Sequence, residues 1–309
     1  HLKKLFILPA LLFSQLLAAQ PAWRQGLQYR LQAKLDVQQE ALDGSMDLQY
    51  NNHSPDTLHF IWFHVWPNAY RNDKTSYSDQ LIGNGKTAFY FSDKDKRGYI
   101  NRLEFRVNGM LADIQDHPEY IDVIKLLLPG GLAPGDSLQI SATFHVKLPY
   151  NFSGYGAENN TFQISNWYPE PAVYDRSGWH PMPFLEQGGA YHEPADYEAT
   201  IEVPEKYSVV AGCSADSVLH HGNNSYFFSL KDANSFAWVA ARHLLEKKDT
   251  VQLESGKIIA LHLYYPASDS SKLREQEAYA QDSVSRSKPS IRQRSALISD
   301  YPYPSLNLV

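Results

Sequence analysis

The residues best suited to chemistry lie between positions 161 and 213, the stretch of this 309-residue chain densest in Trp, Tyr, Pro, Gly and His. His192-Glu193-Pro194-Ala195-Asp196 approaches the H-E-x-x-H pattern. In that pattern two His one helical turn apart grip zinc while the Glu activates its water. Here the second position is Asp196, and Pro194 falls between the pair. Proline breaks a helix interior, and an alternating run begins at Tyr197. The motif therefore reads as a loop feeding a strand. Glu170 with Asp175, and Glu186 with Glu193, are carboxylates set among aromatics, where apolar surroundings can raise a carboxyl pKa. Trp167, Tyr168 and Trp179 would serve as stacking platforms for a sugar. Their commoner duty is to anchor a loop by packing.

The other His residues are scattered. His59 and His64 fall on opposite faces of one run, so they cannot share a metal. No nucleophile elbow or phosphate-binding loop is present. Cys213 is the only cysteine, which excludes an internal disulfide and a Cys-based zinc site. A net charge of −6 and a pI near 6.1 leave no basic footprint, so no nucleic-acid partner is expected.

The elements that must position these residues are strands. Residues 29–37 alternate, with Tyr29, Leu31, Ala33, Leu35 and Val37 on one face. Residues 42–50 do nearly the same and predict an antiparallel neighbour. Residues 57–66 are apolar on both faces, as in a central strand covered on both sides. Residues 67–98 read as a polar surface insertion. Further strands are expected at 103–107, 121–128, 137–146, 197–203, 207–213, 217–220, 226–230, 236–241 and 258–265. Pro129-Gly130-Gly131 reads as a turn. About a dozen short strands imply a mainly β fold, a layered antiparallel sheet or sandwich.

Both ends differ from this pattern. Lys3 and Lys4 precede the apolar run 5–17, and Ala18-Ala19 follow it. Residues 1–20 therefore read as a signal peptide, with export to the periplasm or the exterior and no membrane attachment after cleavage. After residue 266 the alternation stops. Ser268-Asp269 can cap a helix, Leu273, Ala280 and Val284 keep a helical stripe, and Pro289 is expected to kink or split it. Tyr301-Pro302-Tyr303-Pro304 ends the helix, and a new apolar run starts at Ser305. The predicted division is a β-domain at 21–266 and the start of a second, α/β domain at 267–309. A cut strand at that end would leave an unpaired edge and lower solubility.

Several motifs, taken in order, resemble the zinc aminopeptidases of the aminopeptidase N family. They are Trp62-Phe63-His64-Val65-Trp66-Pro67-Asn68, Ser165-Asn166-Trp167-Tyr168-Pro169, Tyr174-Asp175 and Gly178-Trp179-His180-Pro181. Val210-Ala211-Gly212 and Tyr301-Pro302-Tyr303-Pro304 follow. The resemblance runs from about residue 28 to 309. It implies the N-terminal β-domain of an exported zinc metallopeptidase, followed by the first helix and strand of a thermolysin-like catalytic domain. The family's H-E-x-x-H and G-x-M-E-N motifs do not occur. The resemblance thus implies zinc and peptide substrate for the parent enzyme, and no cofactor or peptidase activity in this chain. In the family, a T-Q-F-E-P-like loop of the β-domain reaches the active site and holds the substrate amine. Ser165, Asn166, Trp167, Tyr168 and Pro169 match it in order, which assigns Asn166 and Tyr168 to substrate binding. Tyr168 replaces the carboxylate and cannot pair an ammonium as a carboxylate does; Glu170, two residues on, is the expected substitute. Residues 161–196 would pack against the catalytic domain. The alternative from a different class is a secreted β-sandwich binding module for carbohydrate or protein.

Overall fold

The computed structural model describes residues 23–188, 190–266 and 273–309. The expected signal peptide and the Ser268-Asp269 cap lie outside the described residues. The strands, in chain order, begin with β1 (Gly26–Asp36), β2 (Ala41–Asn51), β3 (Leu58–His64), β4 (Tyr99–Val107), β5 (Met110–Leu111), β6 (Ile114–Asp116) and β7 (Val123–Leu132). Next come β8 (Ser137–Lys147), β9 (Gly156–Glu158), β10 (Thr161–Ile164), β11 (Glu170–Pro171), β12 (Tyr174–Asp175), β13 (Gly178–Trp179) and β14 (Ala195–Pro204). The last are β15 (Tyr207–Ala211), β16 (Ser217–His221), β17 (Asn223–Ala233), β18 (Trp238–Arg242), β19 (Leu244–Gln252), β20 (Ile258–Pro266) and β21 (Ser305–Leu308). The described residues also form two α-helices, α1 (Ser76–Gly83) and α2 (Leu273–Leu297). The fold is mainly β, as its alternating runs require.

The largest sheet has the order β16-β17-β14-β1-β2-β8-β4-β5. In β1, Leu27, Tyr29, Leu31, Ala33 and Leu35 are buried and their neighbours are not, the signature of a strand with one wet face. β1 and β2 pair antiparallel in full register. β1 also pairs with β14 in parallel, which sets Tyr29 beside Tyr197. Gly44 is required in β2: a Cβ there would lie 2.3 Å from the Phe144 ring. Two four-stranded sheets, β11-β3-β7-β6 and β15-β18-β10-β9, add their apolar faces to the same continuous core.

Three local expectations are corrected. Residues 67–98 are not a surface insertion. A 3₁₀ turn at Trp66–Tyr70 and α1 carry Tyr70, Tyr77 and Leu81 into the core, and Phe89 follows from the turn after α1. Thr75 caps α1 by accepting from the Ser78 amide, and the Tyr70 and Tyr77 hydroxyls share Ser153. The buried aromatics are too sparse among polar residues to show as a period. Pro129-Gly130-Gly131 lies inside β7, in an irregular stretch of its pairing with β3 rather than in a turn. Pro289 does not split α2, which is continuous across it.

β19, β20 and β21 form a separate three-stranded sheet, with β21 parallel to β20 at its edge. α2 covers it through Val284, making a second small core with Val251, Leu253, Ile259 and Leu261. β19 escaped the sequence reading because Glu246, Lys247, Lys248 and Asp249 hide its alternation. No helix among the described residues is long and apolar enough to cross a membrane.

Candidate functional site

β10 hands over to the aromatic loop at Asn166, whose φ of 50° is left-handed. Asn tolerates that region better than most residues. The turn drives the next two side chains inward: Trp167 is 0% exposed and Tyr168 1%. The Trp167 Nε1–H donates to the Phe236 carbonyl at 3.0 Å, and the Phe236 amide donates to the Tyr168 hydroxyl at 3.2 Å. Two adjacent aromatics thus satisfy both backbone groups of one residue on a distant loop. The Tyr168 ring meets Tyr29 and Tyr197 edge-on, and those two rings stack on each other. Burial, followed by the Glu170 charge, holds the Tyr168 hydroxyl well above its usual range, so it stays protonated.

β11 then places Glu170 directly across from His64 of β3. Glu170 is buried, and its Oε2 lies 2.9 Å from the His192 Nδ1. Its other oxygen, Oε1, has no partner. Burial opposes charge on His192, but the hydrogen bond to Glu170 and its charge outweigh this and raise the His192 pKa. His64 behaves oppositely. Burial first, and then the nearby His192, push it down to about 3, so it is neutral. Its Nε2 accepts from the Met182 amide at 3.2 Å. The Trp66 ring stacks on His64 at 4.4 Å, meets His192 edge-on, and donates its Nε1–H to the Met182 carbonyl. Asp122 accepts from the Phe184 amide, and burial lifts it to about 6 despite that bond. Glu193 is also buried and lifted to about 7, with the Arg24 charge working against the rise.

These contacts pin the start of the irregular stretch after residue 180: buried polar groups of the body take up the backbone groups of Met182 and the amide of Phe184. The sequence reading missed this role for His64, Asp122 and Trp66. Only the aromatic density of 161–213 hinted at it.

The near-zinc motif comes apart. His192 is committed to Glu170, whereas Asp196, already in β14, accepts from the Lys231 ammonium and the Asp232 amide. Among the described residues no group of three or more His, Cys, Asp or Glu is placed to hold a metal ion. The described residues do not fit a zinc site. The suggested stacking platforms are also corrected. Trp167 and Tyr168 are wholly interior, and Trp179 lies against Tyr174 and Phe60.

Of the three expected substrate-binding residues, the fold brings Tyr168 and Glu170 into one interior cluster and leaves Asn166 outside it, half-buried at the turn. Next to that turn lies a cavity of about 400 Å³, lined by Ile164, Ser165, Ala211, Trp238 and Asn307 among others. Trp238 is 2% exposed, yet its Nε1 has no partner, and neither has the Asn307 Oδ1. The Asn307 amide nitrogen donates to the Ala211 carbonyl, which fixes the side chain. Both unpaired atoms are buried behind the cavity wall, which mixes Ile164, Val210 and Val239 with Gln163, Ser165 and Ser235.

No protein-family model and no curated protein matches the sequence. Solved structures do match the fold. A two-domain M1 zinc metallopeptidase, a mutant bound to L-arginine, is similar at a TM-score of 0.54 and 12% identity, over 92% of this chain and 56% of that one. The M1 zinc metallopeptidase from Deinococcus radiodurans is similar at a TM-score of 0.54 and 13% identity, over the same shares. A mutant of that protein bound to a Tyr-Ser-Ala substrate gives 0.53 and 13%, again over 92% and 56%. The chain therefore spans little more than half the length of these peptidases, and its mainly β architecture matches the N-terminal domain of M1 peptidases.

Proposed function

We propose that this chain supplies the substrate-facing N-terminal domain of an exported zinc-dependent peptidase, with residues 267–309 opening the catalytic domain. The observation that carries the reading is the open cavity of about 400 Å³ beside the Ser165–Asn166 turn, walled by both apolar and polar side chains. It lies where the loop leaves the sheet, and its polar lining residues Gln163, Ser165 and Ser235 stand among apolar ones, a wall suited to a peptide. The likeness in fold to M1 zinc metallopeptidases supports the same reading. Zinc and its activated water belong to residues other than those described here. Asn166 is the residue we assign to substrate contact. Tyr168 and Glu170 hold the loop from inside, Tyr168 through Phe236 and Glu170 through His192.

Export rests on the apolar run 5–17 behind Lys3 and Lys4. The carbohydrate module is not favoured, since two of its three platforms are interior.

Reading the gene beyond the Val309 codon tests the proposal. An H-E-x-x-H within about 150 further residues, one domain's length, is expected; its absence would overturn the peptidase reading. Zinc titration of the chain itself supplies a second check. Tight stoichiometric binding would show that a metal site has been overlooked.

A further inference from the structure

A second opening lies on walls that share nothing with the cavity beside Asn166. It is a groove of about 720 Å³ between the β4–β5 hairpin and the far half of β7. Both walls are strand edges. β5 is the last strand of the eight-stranded sheet, so its outer edge is bare. The ladder between β6 and β7 ends at the Ile114–Leu126 pair and the Leu127 amide bond to the Asp113 carbonyl. Among the described residues no strand is paired with β7 on that flank from Leu128 to Leu132. There β7 also bulges away from β3, because its register shifts between Phe60–Leu127 and Leu58–Leu132. Gly130 sits in the bulge with open space where a Cβ would project.

The groove carries apolar surface that a monomer would ordinarily cover. Met110 is 72% exposed and Leu111 69%. Its charged lining residues are Asp113 and Asp136, and no Lys or Arg lines it. A strand residue takes up about 3.3 Å along the chain, 4.8 Å between strands and 10 Å between layers, on the order of 160 Å³. The groove therefore has room for roughly four to five residues of extended chain.

We propose that this groove binds an extended peptide segment of a protein partner by strand addition. The segment has apolar side chains at alternate positions and a basic residue at one end. Its backbone pairs with the bare strand edges, its apolar side chains cover Met110 and Leu111, and its cation answers Asp113 and Asp136. Main-chain bonds supply affinity in such additions, and the alternate side chains supply selectivity. The inference does not depend on the peptidase proposal, because its test reads binding and not hydrolysis.

The test is fluorescence anisotropy with a fluorescein-labelled Lys-Val-Thr-Val-Thr-Val peptide, titrated with the chain. Saturable binding is expected. Leu111→Lys should weaken it about tenfold or more, since a charge would replace apolar cover and repel the basic end. Leu111 is exposed, so thermal unfolding of the variant should match the parent; Met110→Lys provides a second variant of the same kind. A peptide with Pro at both inner Val positions loses two backbone donors and should bind at least about tenfold more weakly. Absence of saturable binding would overturn the proposal. So would equal binding of the proline peptide, which would mean apolar adsorption alone. A dimer in sedimentation velocity that Leu111→Lys dissociates would also overturn it, by making the occupant a second copy of this chain.

Discussion

The described residues form two cores of very different construction. The large one joins three sheets and is closed at the aromatic loop by Trp167, Tyr168 and Phe236, where the indole N–H and the phenol hydroxyl pair with the Phe236 backbone. The small one is a three-stranded sheet under α2, held by five fully buried side chains. α2 presents Val284 and Ala280 inward, and it leaves Tyr279 74% exposed and Leu297 76% exposed. Burial per residue governs how much stability a region can hold. The loop beside the candidate site therefore rests on the stronger core. The unit behind it should open first, as regions with few buried apolar contacts do.

The sharpest way to break this comparison is Trp167→Ala. Loss of a fully buried indole and its bond to Phe236 should cost about 3–5 kcal/mol in urea unfolding. A cost below about 1 kcal/mol, the scale of one ordinary hydrogen bond, would mean the loop is not braced from inside. His192→Ala should cost nearly as much, about 3 kcal/mol, because it strands Glu170 as a buried unpaired charge. Adding Glu170→Gln to that variant should restore part of the loss, which a purely steric role for His192 would not allow.

The dependence on pH comes next. Glu193 holds its proton up to about 7 in the folded state, against 4.5 ordinarily. A raised carboxyl pKa stabilises fully below the unfolded value and is lost as pH climbs through the folded one. Stability should therefore fall by on the order of 3 kcal/mol from pH 4 to pH 8 through this group, and Glu193→Gln should flatten that part of the profile. His192, also raised, acts in the same direction. His64 acts in the opposite one. It is held neutral to about 3, so its contribution is intact above pH 6.5 and is lost as pH falls towards 3. The smallest expected effect is Val284→Ala, about 2 kcal/mol, confined to the small core. Amide exchange should quicken in β20 and stay unchanged in β1. Equal quickening in both would merge the two cores into one cooperative unit.

Much of the fold was legible because period-two runs leave a direct mark: Tyr29 to Leu35 alternate in sequence and in burial alike. The signal failed where burial is aperiodic. Tyr70, Tyr77 and Phe89 reach the core from a polar stretch, and β19 alternates beneath a run of charges. The site was legible only in part. The turn at Asn166 could be picked out by motif order, but its partners could not. Glu170 meets His192 and His64 through strand pairing and a returning loop, and Trp238 and Asn307 meet at the cavity from positions 69 residues apart in sequence. No local spacing records such meetings.

The loop at Asn166 and the cavity beside it are proposed to face a peptide, next to a zinc centre held elsewhere in the parent protein. Hydrolysis of Arg- and Tyr-p-nitroanilide by the whole gene product, with and without 1,10-phenanthroline, tests it most directly. Chelator-sensitive release of nitroaniline is expected, with a raised KM and a stable fold in Asn166→Ala. A whole gene product that binds no zinc and cleaves neither these substrates nor peptides would contradict it.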